Sequence, residues 1–152
     1  MRKPSAAIIL FALLFPGHSC LSQDTPVEWR ITYELLPSGG EILLSFSSEI
    51  LNGWHLYSQF LEDGGPVPTT FTFYASKEYA ITGRAAEHGI PTRYFDQLFD
   101  MNVTWYASHV SFQQKIKLAR TSTVIRGYIE YMACNDSLCL PDKKEFRIDV
   151  HL

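Results

Sequence analysis

The chain has 152 residues, 13 Lys and Arg against 16 Asp and Glu, and an aromatic share of 14%. That length supports one core of ordinary dimensions and not two domains. The acidic balance and the absence of a basic stripe argue against nucleic acid as a partner, while the aromatic content suits strands.

Met1-Arg2-Lys3 precedes an apolar run from Ala6 to Phe15, and Pro16-Gly17-His18-Ser19-Cys20-Leu21-Ser22 follows it. A basic start, a short apolar centre and a small-residue exit are the parts of a signal peptide, read here as residues 1–22. The apolar run is too short to cross a bilayer as a helix, which takes roughly 20 residues. Export to the periplasm is therefore expected. Cleavage after Ser22 puts Cys20 at the −3 place. The alternative is cleavage before Cys20 with lipid on its sulfur, although Gly17-His18-Ser19 lacks the usual aliphatic residue. Removal of residues 1–22 leaves 11 basic against 16 acidic residues, a formal charge of −5.

Val27 to Leu36 alternates, with Val27, Trp29, Ile31, Tyr33 and Leu35 on one side, which predicts a half-buried strand. Pro37-Ser38-Gly39-Gly40 is a turn, and Glu41 to Ile50 the return strand with Ile42, Leu44, Phe46 and Ser48 on one face. Trp54 to Ser58 is a short strand. Trp54 and Leu56 share the face expected to pack in the core, and His55 and Tyr57 share the other. Leu61 to Pro68 is a loop. Thr69 to Tyr74 and Tyr79 to Arg84 read as strands, and Glu87 to Pro91 as a turn. Arg93 to Asp100 fits a loop, a single helical turn or a strand. Val103 to Leu118 is one bent strand or two. Val124 to Met132 is a strand with Ile125, Gly127, Ile129 and Tyr131 together. Ala133 to Lys144 is a cysteine-bearing loop, and Glu145 to Leu152 closes the domain. Eight or nine strands joined by turn-rich links predict an all-β, immunoglobulin-like β-sandwich over residues 27–152.

Beyond residue 22 only Cys134 and Cys139 remain. In an exported protein they can form a disulfide. One reading is a structural clamp. A loop of six residues restrains little of the unfolded chain, about 2 kcal/mol by loop entropy, so the position is a poor one for stability alone. The other reading is thiol–disulfide exchange, which needs an exposed thiol and a second one nearby to resolve the mixed disulfide. Asn135 and Asp136 keep the loop polar and accessible, and Asp136 disfavours a thiolate next to it. A metal site lacks a four-ligand set nearby. Spacing alone leaves clamp and exchange open. No Ser/His/Asp set, phosphate loop or paired carboxylates point to hydrolysis, and no cofactor is expected.

The segment from Gly127 to Pro141, containing Tyr131-Met132-Ala133-Cys134-Asn135-Asp136-Ser137-Leu138-Cys139, resembles the active-site region of the N-terminal periplasmic domain of the DsbD thiol:disulfide interchange family. Gly53-Trp54-His55-Leu56-Tyr57-Ser58, followed by Gly64-Gly65-Pro66 and Thr69-Thr70-Phe71, is similar to the early strands of the same family. The resemblance implies an immunoglobulin-like fold and an electron relay between a transmembrane thiol reductase domain and periplasmic thioredoxin-like proteins. It implies that Cys139 links to the partner and that Cys134 resolves the link. It further implies a cap loop at Phe95 to Asp100, with Leu98 or Phe99 as the cap and Asp96 as its acid. His55, Tyr57, Asn135 and Asp136 would frame the site. With nothing after Leu152, electrons are expected from a separate protein. The competing expectation is an exported binding or scaffold module whose disulfide is only a loop clamp.

Overall fold

The computed structural model describes residues 25–152, so the signal-peptide reading and the fate of Cys20 lie outside the described residues. Ten strands follow one another: β1 Val27–Leu35, β2 Glu41–Ile50, β3 His55–Tyr57, β4 Thr70–Phe73, β5 Tyr79–Gly89, β6 Thr92–Asp96, β7 Met101–Ala107, β8 His109–Leu118, β9 Ser122–Cys134 and β10 Cys139–His151. All pairings are antiparallel. One sheet has the order β1-β2-β8-β5. The other has the order β10-β9-β3-β7-β6, with β4 also paired to β9.

The alternation read from the sequence becomes the inner faces of these two sheets. Ile42, Leu44, Phe46, Val110, Phe112 and Ile116 come from the first, and Leu56, Ile125, Ile129, Tyr131 and Phe146 from the second, all in one buried cluster. Aromatic rings cross between the sheets: Phe46 lies 5.1 Å from Phe146 and 4.7 Å from Phe71, and Trp29 lies 5.4 Å from Tyr131. Two antiparallel sheets closed over one apolar layer make this an immunoglobulin-like β-sandwich, as expected.

Two glycines are structurally required. Gly39 has a left-handed φ of +70° in the β1–β2 turn, a conformation that side chains resist. Gly127 lets β4 close on β9, since a Cβ there would strike Thr72 O and the Phe146 ring.

Three local expectations change, and two open ones are settled. The strand count is ten, not eight or nine. Glu87 to Gly89 is not a turn but the end of β5, paired with Phe112, Ser111 and Val110. Arg93 to Asp100 resolves into strand β6 and the turn to β7, and Val103 to Leu118 into two strands broken at Ser108, which has a φ of +64°. The cysteine loop is far shorter than Ala133 to Lys144. Strand β10 starts at Cys139, and only Asn135 to Leu138 lie between strands.

Candidate dithiol site on the outer sheet face

Thirteen residues of β9 pair with thirteen of β10, starting at Cys134 opposite Cys139. The turn between them is built by Asn135. Its amide donates to Leu138 O at 2.9 Å, and its Oδ1 accepts from the amides of Ser137 at 2.9 Å and Leu138 at 2.8 Å. An Asn side chain that mimics backbone in this way holds a tight turn without any covalent bridge. The cysteines are thus direct cross-strand partners, with Cα atoms 4.1 Å apart, and their sulfurs are bonded.

Register decides which face they occupy. Cys134 stands opposite His55 on β3, and Tyr57 stands opposite Trp105 on β7. Directly opposed residues share a face, and the face repeats every second residue. Cys134, Met132, His55, Tyr57, Trp105, Val103 and Met101 therefore lie on one side of the sheet, while Leu56, Ala133, Tyr131 and Tyr106 point to the core. The disulfide belongs to the outer face. There it joins a second apolar cluster of buried Tyr57, Val103 and Cys134, with Leu61, Met101, Trp105, Met132 and Cys139 packed around them. Cys134 is 2% exposed, and Cys139 is half-buried.

The segment Ser58 to Thr69, which leaves β3 and returns to β4, carries Leu61 into this cluster. A side chain at Gly65 would collide with Met101 Sδ, so the segment rests on Met101. Its start is tied to Glu87 of β5. The Glu87 carboxylate accepts from Ser58 Oγ at 2.9 and 3.0 Å, from the Gln59 amide at 2.6 Å and from the Tyr106 hydroxyl at 2.6 Å. Its far end is tied by Thr69 Oγ1, which donates to Tyr57 O at 2.5 Å.

His55 is half-buried, its ring 4.6 Å from that of Trp105 and 5.1 Å from that of Tyr57. Burial pushes its pKa below the usual imidazole value, against the opposing pull of Asp96 and Asp136. The ring is therefore neutral near pH 7. Tyr57 donates a long 3.5 Å bond to Asp96 Oδ2, and its phenol is pushed up to about 12, first by burial and then by Asp96.

The structure brings Cys134, Cys139, His55, Tyr57, Asp96, Asn135 and Asp136 into one neighbourhood. Leu98 and Phe99 sit in the β6–β7 turn. Leu98 is 78% exposed, and Phe99 is half-buried without packing on the disulfide cluster. Sequence reasoning missed Leu61, Met101, Val103, Trp105 and Met132 as neighbours of the pair, and Glu87 as an anchor. A signal for the cluster was present. Leu56-Tyr57 and Trp105-Tyr106 are adjacent apolar residues that point to opposite faces, the mark of strands covered on both sides.

A family profile described as Thiol:disulfide interchange protein DsbD, N-terminal, matches residues 23–150. The chain belongs to this DsbD N-terminal family. Among solved structures it is similar to the N-terminal periplasmic domain of ScsB from Proteus mirabilis, at 16% identity and a TM-score of 0.61, covering 82% of this chain and 46% of that one. It is also similar to the DsbD N-terminal domain of Neisseria meningitidis in the reduced form, at 14% identity and a TM-score of 0.54, covering 77% of this chain and 90% of that one. At such identities the likeness shows the fold. A search of curated proteins returned no match. The chain thus spans under half of the ScsB domain. The family match and the bonded Cys134–Cys139 pair together mark a thiol–disulfide interchange domain.

Proposed function

We propose that this domain is a periplasmic electron relay. It takes reducing equivalents from a transmembrane thiol reductase domain and passes them to periplasmic thioredoxin-like oxidoreductases through Cys134 and Cys139. The observation that carries this reading is the asymmetry of the pair. Cys139 is half-open at the start of an edge strand, while Cys134 is buried behind it. Exchange needs one sulfur a partner can reach and one held back to resolve the link.

In the delivering direction the Cys139 thiolate attacks a sulfur of the partner's disulfide, and the partner's other sulfur leaves as a thiolate. Cys134 then attacks Cys139 Sγ. The Cys134–Cys139 bond forms as the mixed bond breaks, and the partner departs as a dithiol once protonated. Two electrons have moved from the domain to the partner, and the reverse sequence with the reductase reloads the pair. The β6–β7 turn with Asp96, Leu98 and Phe99 is the segment we assign to move as a partner docks. Met101, Leu61 and Met132 supply the cover beneath it.

The clamp reading is weakened by the Asn135 turn, which holds the same hairpin by three hydrogen bonds. The test is trapping. A Cys134→Ser variant should accumulate mixed disulfides through Cys139 in the periplasm, whereas Cys139→Ser should not. A reduction potential below about −300 mV with no adduct at Cys139 would sink the proposal.

A further inference from the structure

A cleft of about 440 Å³ opens beside the cysteine hairpin, with walls of Trp54, His55, Tyr94 and Trp105 and with Asp96 and Asp136 at its edges. Two of its lining residues neighbour the cysteine pair. His55 is the register partner of Cys134, and Asp136 is the second residue of the turn that follows Cys134. No Lys or Arg lines it. Among the described residues, neither Asp96 nor Asp136 takes part in an ion pair. Elsewhere two rings carry one of the chain's own cations: Arg84 stands 4.5 Å from the centre of the Phe60 ring, and Lys143 stands 3.6 Å from that of Tyr128. Among the described residues, the rings of this cleft have no such cover. Tyr94 is more than half exposed.

Aromatic faces and carboxylates converging on one recess are complementary to a cation. We infer that the cleft receives a lysine or arginine side chain that the exchange partner carries next to its reactive cysteine. The inference rests on the exchange reading and names the partner chemistry that the same site selects. A neutral His55 leaves the recess without a competing positive charge. A cation held there also stands near the sulfurs, where it stabilises the thiolate that leaves in each exchange step.

The probes are three symmetric peptide disulfides, made from N-acetyl-Cys-Lys-amide, N-acetyl-Cys-Gln-amide and N-acetyl-Cys-Glu-amide. Each oxidises the reduced domain with release of two peptide thiols as the Cys134–Cys139 bond forms. Each rate is divided by the rate of the same peptide with dithiothreitol, which removes intrinsic differences between the disulfides. The Lys peptide should react about tenfold faster than the Gln peptide at low salt, and the Glu peptide slowest. Added salt should shrink the spread. Asp96→Asn/Asp136→Asn should bring the Lys-to-Gln ratio within about twofold of one, and Asp136→Asn alone, on an exposed turn, should lower it about threefold. Asp149→Asn, ten residues along β10 from Cys139 and so roughly 33 Å away, should leave it unchanged. A ratio near one in the native protein, a ratio kept by the double variant, or an equal loss in Asp149→Asn would overturn the inference while leaving exchange intact. Failure of all three peptides to oxidise the pair would instead remove the exchange reading, and this inference with it.

Discussion

Reducing the Cys134–Cys139 bond should cost the domain about 2 kcal/mol and leave it folded. The bond closes a loop of sequence separation 5, and loop-entropy scaling for so short a ring gives about 2 kcal/mol of constraint on the unfolded chain. Little is lost in the native state. The turn keeps the three hydrogen bonds of Asn135, and β9 and β10 keep their full register from Cys134 to Ser122. For a domain of roughly 130 residues, 2 kcal/mol lowers Tm by about 7 °C. The same cycle fixes a redox quantity. If the bond stabilises the fold by about 2 kcal/mol, the fold stabilises the bond equally, and its potential should lie about 45 mV below that of the unfolded chain. Calorimetry with and without a phosphine reductant measures the first value. A redox titration in buffer and in denaturant measures the second. A Tm drop beyond about 15 °C, or loss of the cooperative transition, would refute the reasoning and mark the pair as a clamp on which the fold depends.

Glu87→Ala should destabilise the domain by about 2 to 3 kcal/mol, because it strands the Ser58 and Tyr106 hydroxyls and the Gln59 amide. Hydrogen exchange at Gln59 should rise with it, and Glu87→Gln should recover part of both. Stability should also fall at both ends of the pH scale. The fold raises the phenols of Tyr57, Tyr106 and Tyr131, in each case first by burial. The native state therefore holds protons that the unfolded chain has lost, and stability is full below pH 10 and declines as pH rises through 12. The fold lowers His55, so its contribution is present above pH 6.5 and is lost as pH falls below that value. Urea midpoints from pH 5 to 12 should show both slopes, with Tyr57→Phe flattening part of the alkaline one and His55→Gln flattening the acid one.

One-sided burial is what made the core legible in sequence. Ile42, Leu44 and Phe46 alternate with residues facing outward, and Ile125, Ile129 and Tyr131 do the same, because along most of each strand one face is fully buried and the other only partly covered. The start of β10 lacked that signature. From Cys139 to Glu145 every residue is exposed or half-exposed, since the strand lies at the sheet edge and its pairing is dictated by β9. The end of β5 was hidden for the same reason, with a register shift between Thr82 and Ala86 breaking the pattern further. The cysteines, His55 and Tyr57 could be picked out because their residue types carry chemistry. Met101 and Met132 could not, because nothing in an apolar residue says which of two covered faces it serves.

The two faces of β9 separate the disulfide from the main core. Its inner residues, Ile125, Ile129, Tyr131 and Ala133, hold the sandwich together, while Met132 and Cys134 face the outer cluster. Opening the bond therefore exposes no part of the main core. The cross-strand register also acts on the chemistry. Because Cys134 and Cys139 are opposed by backbone pairing and by the Asn135 turn, on the exchange reading the resolving thiol would stay beside the mixed disulfide without the bond itself to hold it there. That converts resolution into an intramolecular step at high effective concentration. Strand β10 is the last of its sheet, so among the described residues Cys139 sits on an edge with no neighbouring strand on its far side. On the exchange reading a partner would approach that edge while the core behind it stays closed, and of the outer cluster only Leu61 and Met101 would have to yield.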